Sequence, residues 1–243
     1  MIQFAFHDRG LRGRRRLALL AITALAAGTG LSAANPAEAA AGSRVFLSPD
    51  SGPQAALTFQ DSKGVVNDVT IRGNTVTDAA SRLVAGAGCA NVDPHTVTCA
   101  DYSSGLTQIH LGPKNDRIID YGFDRVSITH FIYGDQGDDI IRDLPASGRD
   151  YGGPGNDFID IRGNQGTAWG GPGNDVMDGR KGNNEFLHGE DGNDVLFASP
   201  GALLFGENGD DWLDGINPVR PNGALNCDGG PGTNLIENCP PAS

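Results

Sequence analysis

One ten-residue phrase, present twice, constrains this chain more than any other feature. YGGPGNDFID begins at Tyr151 and WGGPGNDVMD begins at Trp169, so their first motif glycines, Gly152 and Gly170, lie 18 residues apart. Looser copies of the phrase begin at Tyr133, His188, Phe205 and Asp228. A short unit that recurs at a fixed period is typical of repeat proteins, in which neighbouring units stack to bury a shared core.

The spacing of the copies predicts the architecture. Nine residues suit one tight turn and one short strand, so eighteen make one coil of two strands. Residues eighteen apart then stack about 4.8 Å from each other on successive coils. We therefore predict an all-β fold, a parallel β-roll that is a right-handed β-solenoid of nonapeptide repeats.

The well-formed turns are expected along one edge of this roll and the degenerate turns along the other. On the degenerate edge, Asn184 stands where an aspartate is expected, and the turn at Gly163–Thr167 offers little charge. We expect that edge to bind cations weakly.

Residues 1–41 differ from the rest of the chain. Five arginines between Arg9 and Arg16 precede the apolar run Leu17–Leu31, and small residues follow, up to Ala41. This order predicts a secretory signal peptide cleaved between Ala39 and Ala41. The alternative is a membrane anchor, although the apolar run is short for a bilayer span. The arginines permit twin-arginine export as well as the general route.

Residues 42–108 form a small N-terminal β lead-in. Threonine and valine alternate with polar residues in runs such as Val69–Ile71 and Thr96–Thr98, and glycine and asparagine interrupt the runs. We predict that this lead-in caps the roll, which occupies residues 109–243, because an uncovered solenoid end exposes core and unpaired strand edges.

All four cysteines lie beyond the predicted signal peptide. In an exported chain they are expected to pair, and four cysteines allow three connectivities. Short loop closure favours the local disulfides Cys89–Cys99, in the lead-in, and Cys227–Cys239, in a clipped C-terminal cap. No cysteine spacing fits a zinc site.

The chain is acidic, with a formal net charge of −12 and a pI near 4.6. The acids are concentrated from His110 onward. Such a surface repels nucleic acid and anionic membranes and attracts cations. We expect calcium ions as partners, no nucleic acid, and no stable membrane insertion after signal removal. No feature singles out a protein or glycan partner.

The repeated turns offer a dense set of oxygen ligands. Glycines at φ > 0 let carbonyl oxygens point into the gap between stacked turns, and the motif aspartate enters the same gap. Hard oxygen ligands suit Ca²⁺, whereas Mg²⁺ demands tighter geometry and no soft ligand is offered to a transition metal. The candidate metal-binding residues are Gly134, Gly137, Asp139, Gly152, Gly153, Gly155, Asp157, Gly170, Gly171, Gly173, Asp175, Gly189, Gly192, Asp194, Gly206, Gly209 and Asp211.

Two further columns follow from the same register. An apolar residue follows each motif aspartate and is expected to point inward: Ile141, Ile159, Met177, Leu196 and Leu213. An aromatic residue or histidine precedes each first glycine, and these residues are expected to form a stacked ladder.

The phrases GGPGNDFID from Gly152 and GGPGNDVMD from Gly170, supported by GEDGNDVLF and GENGDDWLD, resemble the RTX, or haemolysin-type, calcium-binding repeat. The resemblance covers about 111–237. It implies a parallel β-roll that folds on binding Ca²⁺ outside the cell. Within the family, the chain looks like the short secreted actinobacterial type. It departs from the motif where Asp135, Glu190 and Glu207 replace the second glycine and where Asn234 replaces the aspartate.

No enzyme motif accompanies the repeats. Neither H-E-x-x-H nor G-x-S-x-G occurs, and the lead-in is small for an enzyme domain. We predict a secreted, non-enzymatic calcium-binding repeat protein with no catalytic residue and no organic cofactor site. Two alternatives stay open: a calcium-dependent extracellular adhesin or matrix protein, and a polysaccharide-acting β-helix enzyme using Glu185, Glu190 and Asp191. We expect these three acids to be solvated turn carboxylates rather than catalytic residues.

Overall fold

A computed structural model describes residues 42–48, 55–61, 63–100, 106–122, 129–145, 148–199, 201–215 and 226–239. The predicted signal peptide and its cleavage site lie outside this part of the chain. Within it, every regular element is a β-strand. The same residues contain no helix long and apolar enough to cross a membrane.

The strands are short, as expected for one strand per nonapeptide. In chain order they are β1 (Ser43–Ser48), β2 (Ala56–Gln60), β3 (Asp68–Arg72), β4 (Thr75–Asp78), β5 (Leu83–Ala85), β6 (Cys89–Asp93), β7 (Thr96–Cys99), β8 (Leu106–His110), β9 (Arg117–Asp120), β10 (Thr129–Tyr133), β11 (Ile140–Asp143), β12 (Arg149–Tyr151), β13 (Phe158–Ile161), β14 (Thr167–Pro172), β15 (Val176–Asp178), β16 (Phe186–Asp191), β17 (Val195–Ala198), β18 (Leu203–Asn208), β19 (Trp212–Gly215), β20 (Asn226–Asp228) and β21 (Leu235–Glu237).

From β8 onward the strands alternate between two parallel sheets. One sheet has the order β20-β18-β16-β14-β12-β10-β8-β2-β1-β5, and the other has the order β21-β19-β17-β15-β13-β11-β9-β3-β4-β7-β6. Ile140 pairs with Phe158, and Phe158 pairs with Val176, so the register advances by 18 residues at each of these two steps. The predicted parallel β-roll is confirmed.

The lead-in is built into both sheets. Strand β2 pairs in parallel with β8, and β3 pairs in parallel with β9, so the lead-in supplies a coil of the roll. Beyond this coil, β1 runs antiparallel to β2, and β4 runs antiparallel to β3. These antiparallel pairings cover edges that a parallel roll would leave open. Strand β8 crosses the expected boundary between residues 108 and 109, so the sheets run without a break through it.

Apolar columns fill the space between the two sheets. Ile141, Ile159, Met177, Leu196 and Leu213 are all fully buried, which confirms the predicted inward column. On the facing sheet, Ile132, Ala168, Leu187 and Leu204 are also fully buried. The core is one side chain deep from each sheet, so its hydrophobic stabilisation per coil is small.

A ladder of stacked rings runs along the first sheet, as predicted. Tyr133, Tyr151, Trp169, His188 and Phe205 stack with centroid separations of 4.6–5.6 Å and interplanar angles of 4–13°. His110 extends the ladder, with its ring 4.4 Å from that of Tyr133. Stacking of this kind adds to the stabilisation from burial.

Disulfides lie near both ends of the described chain. Cys89 joins Cys99 across the antiparallel pair β6–β7. Cys227 in β20 joins Cys239, just after β21. These are the two local pairs that the sequence analysis favours.

Candidate metal centre

The turns on the well-formed edge stack so closely that glycine is required. The third motif glycine has a positive φ in every copy, for example 155° at Gly155 and 151° at Gly173. A Cβ atom at Gly155 would lie 1.8 Å from the carbonyl oxygen of Gly137, and one at Gly173 would lie 1.6 Å from that of Gly155. Carbonyl oxygens therefore line the gap between successive turns.

At the second motif position, three acids hold a left-handed backbone conformation. The φ angles are 71° at Asp135, 75° at Glu190 and 69° at Glu207, in the region that favours glycine. The departures from the motif therefore keep the turn shape. Each such residue carries a backbone cost of about 1 kcal/mol relative to glycine.

The motif aspartates form a continuous hydrogen-bonded ladder. The backbone N–H of each donates to Oδ1 of the residue one coil further on, over 2.7–2.9 Å. The ladder runs from Asn67 through Asp116, Asp139, Asp157, Asp175, Asp194 and Asp211 to Asn234.

The second carboxylate oxygen of each ladder aspartate has a different environment. Among the described residues, Oδ2 has no hydrogen-bond partner in Asp116, Asp139, Asp157, Asp175, Asp194 or Asp211, and each side chain is at most 2% exposed. A Cβ atom at Gly152 would lie 2.2 Å from Oδ2 of Asp157 and 2.6 Å from the carbonyl oxygen of Gly170. Each Oδ2 therefore faces the gap that the carbonyl oxygens line.

The two ends of the ladder are asparagines, and there the second side-chain atom is satisfied. Nδ2 of Asn234 donates to the carbonyl oxygens of Gly229 and Gly230, over 2.8 and 3.1 Å. Nδ2 of Asn67 donates to the carbonyl oxygens of Val65 and Leu111, over 3.1 and 2.9 Å. An amide donor thus bonds carbonyl oxygens at each terminus, whereas in the interior turns the second side-chain atom is a carboxylate oxygen that no donor of the described residues reaches.

Burial raises the pKa of the ladder carboxyls, and neighbouring carboxylates add to the effect. The pKa rises to about 8 for Asp139 and about 7 for Asp175, and it rises to about 6 for Asp157 and Asp194. The hydrogen bond that each Oδ1 accepts from a backbone N–H lowers the pKa and partly offsets this rise. Closely stacked buried carboxylates need protons or cations to offset their mutual repulsion.

The RTX calcium-binding nonapeptide repeat family matches this chain in 4 copies, over residues 131–142, 167–186 and 183–202. The repeats are RTX calcium-binding repeats. No curated protein and no solved structure gives a significant match to the chain. The family match indicates no catalytic family.

Two features of the RTX turns escape the sequence analysis. Asp116 joins the ladder although Lys114 stands where the other copies have glycine; its position directly before the strand segment Arg117–Asp120 was the available signal. A second, exposed ladder runs outside the first and links turn to turn through side-chain oxygens. Its members are Asn115, Asp138, Asn156, Asn174, Asn193 and Asp210.

The opposite edge carries more buried charge than its sequence indicates. Phe186 pairs with Thr167, which places Glu185, rather than Asn184, directly before the strand, as the motif aspartates are. Glu185 is fully buried, and its Oε2 accepts a hydrogen bond from Ser199 over 2.6 Å. Asn184 instead occupies the turn, with φ of 57°. Asn184 and the turn at Gly163–Thr167 carry no charge, as the sequence indicates, and the buried carboxyl comes from Glu185. The expectation that Glu185 is a solvated turn carboxylate is wrong.

The other two candidate catalytic acids, Glu190 and Asp191, are less buried than Glu185. Glu190 is half-buried and Asp191 is exposed, and both lie at the RTX edge. Glu185 lies in the opposite edge, before strand β16. Glu185 and the other two acids thus lie at opposite edges of the roll.

Proposed function

We propose that this chain is a secreted calcium-binding protein whose stacked RTX turns bind Ca²⁺ and fold on binding it. The observation that carries the proposal is the row of buried, unpartnered Oδ2 atoms between the turns, which ends at Asn67 and Asn234. Where an amide donor replaces the second carboxylate oxygen, the adjacent carbonyl groups are satisfied by the protein itself.

The residues present fit Ca²⁺. The gap between two RTX turns offers carboxylate and backbone carbonyl oxygens, which are the ligands that Ca²⁺ takes in groups of about six to eight. Asp139, Asp157, Asp175, Asp194 and Asp211 would supply the carboxylates. The carbonyl oxygens of the motif glycines would supply the remainder. A bound cation would neutralise carboxylates that otherwise repel each other.

Folding on binding follows from the balance of energies. The core is thin, and the chain contains 36 glycines, whose backbone entropy opposes folding. The net charge of −12 also opposes a compact state. A ligand that binds the folded turns and not the open chain stabilises the fold by mass action. Each internal turn borders two gaps, so we expect cooperative binding.

Secretion is supported by the disulfides, and we expect a calcium affinity in the range of extracellular modules. All four cysteines are paired, which fits an oxidising compartment. Extracellular calcium modules bind at about 10⁻⁴–10⁻³ M, a range met outside cells. The chain would therefore stay open before export and fold after it.

The proposal is tested by far-UV circular dichroism of the disulfide-bonded chain in EDTA and then in millimolar Ca²⁺, with millimolar Mg²⁺ as the matched control. We expect a gain of β signal with Ca²⁺ alone and a cooperative titration curve. A full β spectrum in EDTA that Ca²⁺ leaves unchanged would show that the RTX turns are purely structural.

An extracellular adhesin is the second candidate, and a surface groove favours it. The groove has an open volume of about 460 Å³ and is lined by residues that include Arg149, Tyr151, Trp169, Phe186 and His188. The ladder rings stack on one another, so mainly their edges are available to a glycan. Retention of the chain on cell-wall material in Ca²⁺, but not in EDTA, would support this role. If a Trp169→Ala variant is retained as well as the parent chain, the groove is not the surface that binds the cell wall.

A further inference from the structure

Four titratable side chains meet inside the roll, away from the RTX edge. Asp120 ends β9, His130 lies in β10, Asp143 ends β11 and Asp150 lies in β12, so two successive coils contribute all four. Each residue is at most 1% exposed. The RTX repeat does not account for them, because none belongs to the motif.

The geometry brings three of these residues to one point. Nδ1 of His130 lies 2.5 Å from Oδ2 of Asp120. One ligand atom from each of Asp120, His130 and Asp143 lies within 4.8 Å of the other two. Neither carboxylate oxygen of Asp143 accepts a hydrogen bond from any residue that the structure describes. Asp143 is thus a fully buried, unpartnered carboxyl that lies against an imidazole and a second carboxyl.

Asp150 adds a third carboxyl to the same interior. It pairs in register with Ile132 on one side and Ala168 on the other, so it occupies a position that other coils fill with apolar residues. Both of its oxygens also lack a hydrogen-bond partner within the described ranges. Burial raises the pKa of Asp143 and Asp150, and repulsion from neighbouring carboxylates raises it further.

The cluster is unfavourable as a purely structural element. Buried carboxyls without partners destabilise a fold, and apolar residues of similar volume would be neutral or stabilising in their place. The next coil shows such a replacement, since Ile161 takes the position of Asp143 and Ala168 takes that of Asp150. Acids confined to these two coils, with a histidine at the same point, therefore indicate a bound cation.

We propose that Asp120, His130 and Asp143 hold a first-row divalent metal ion, with Zn²⁺ as the favoured ion and Asp150 beside them. An imidazole nitrogen combined with carboxylate oxygens is a donor set for Zn²⁺, whereas Ca²⁺ and Mg²⁺ take oxygen. A divalent ion with two carboxylates and a neutral imidazole has no net charge, which an apolar interior accepts. The ion would link the strands β9 to β12, which follow the coil formed by the lead-in. This site would not depend on the calcium-binding turns.

The test uses Co²⁺ as a spectroscopic probe on the full disulfide-bonded chain, purified without a histidine tag and stripped with EDTA. Millimolar Ca²⁺ is added first, so that the RTX turns are saturated, and Co²⁺ is then titrated at micromolar concentration. We expect one equivalent of Co²⁺ to bind with visible absorption bands, and one equivalent of Zn²⁺ to abolish those bands. No Co²⁺ uptake by the calcium-loaded chain would overturn the proposal.

Variants assign the site. His130→Gln and Asp143→Asn should lose the bands, whereas His95→Gln, at an exposed histidine, and Asp210→Asn, at an exposed aspartate of the calcium edge, should retain them. Because single changes in the cluster can impair folding, the near-isosteric double variant Asp143→Asn and Asp150→Asn provides a folded reference, checked by circular dichroism. Undiminished Co²⁺ binding by a folded double variant, or bands in His130→Gln equal to those of the parent, would refute the assignment.

Discussion

The backbone N–H of Asp157 donates a hydrogen bond to Oδ1 of Asp175, one coil further along the roll, over 2.7 Å. This contact uses one oxygen of Asp175 to bind the neighbouring turn and leaves Oδ2 facing the gap between them. One side chain therefore serves two purposes, because it joins adjacent coils and supplies an acceptor to the candidate calcium site. The same division recurs in each interior turn of the ladder.

Replacing Asp175 by asparagine should separate these two purposes. Asp175→Asn keeps the Oδ1 acceptor and converts Oδ2 to an amide donor, as in Asn234, so the stacking contact survives and the cation ligand is lost. We expect at least one fewer Ca²⁺ bound per chain and a shift of the folding midpoint to higher Ca²⁺, both measurable by calorimetric titration. Asp210→Asn is the matched control, since Asp210 is exposed on the same edge. Equal losses in the two variants would contradict the assignment.

The reverse change should extend the row of sites. Asn234→Asp restores the motif aspartate after Gly229, Gly230 and Gly232, and it removes the amide that bonds the carbonyl oxygens of Gly229 and Gly230. We expect one additional Ca²⁺ per chain and a β signal in EDTA no greater than that of the parent chain. Thr233→Asp adds the same charge one residue away, at an exposed position, and should leave the calcium count unchanged. An unaltered count for Asn234→Asp would show that the interior Oδ2 atoms do not define the sites.

The calcium-free fold should be more stable in mild acid than in mild base. A carboxyl whose pKa is raised in the folded state stabilises that state below its unfolded pKa, and the contribution is lost as the pH rises through the folded pKa. The folded pKa is about 8 for Asp139, about 7 for Asp175, and about 6 for Asp157 and Asp194, against an ordinary value of 3.8.

Far-UV circular dichroism in EDTA should therefore show a larger folded fraction at about pH 5 than at about pH 8. Saturating Ca²⁺ should reverse this order, because Ca²⁺ binds the ionised carboxylates and competes with protons. Stability in EDTA that increases with pH over this interval would be inconsistent with a stack of protonated carboxyls.

Glu185 tests whether calcium is confined to one edge. Glu185→Gln preserves the shape of the side chain and removes its buried charge, while the acceptor for Ser199 remains available as an amide oxygen. We expect an unchanged calcium count and an equal or higher free energy of unfolding in saturating Ca²⁺, because burial disfavours the charged form. A calcium count reduced by one in Glu185→Gln, measured beside Asp175→Asn, would place a site on both edges.

The repeat, its period and the chemistry of its turns can be predicted from the order of the residues alone. These are local properties: glycines at Gly155 and Gly173 permit the turn, and an apolar residue such as Ile159 at the same offset must point inward. Because the motif sets the register of each coil, aligning the copies places their equivalent residues in columns even where the spacing departs from 18 residues. The inward column, the ring ladder and the row of motif aspartates followed from this periodicity, and the structure has each of them.

Contacts between residues outside the repeat depend on how the strands pack, and the sequence pattern does not predict them. The pairing of β3 with β9 builds the lead-in into the roll, and it brings Asn67 to the first position of a ladder that ends at Asn234. A one-residue difference in register exchanges Asn184 for Glu185 at a buried position. The cluster around Asp143 joins residues with no common motif. The residues in these contacts do not occupy equivalent positions of the repeat. They come together only because the strands that carry them pack against each other.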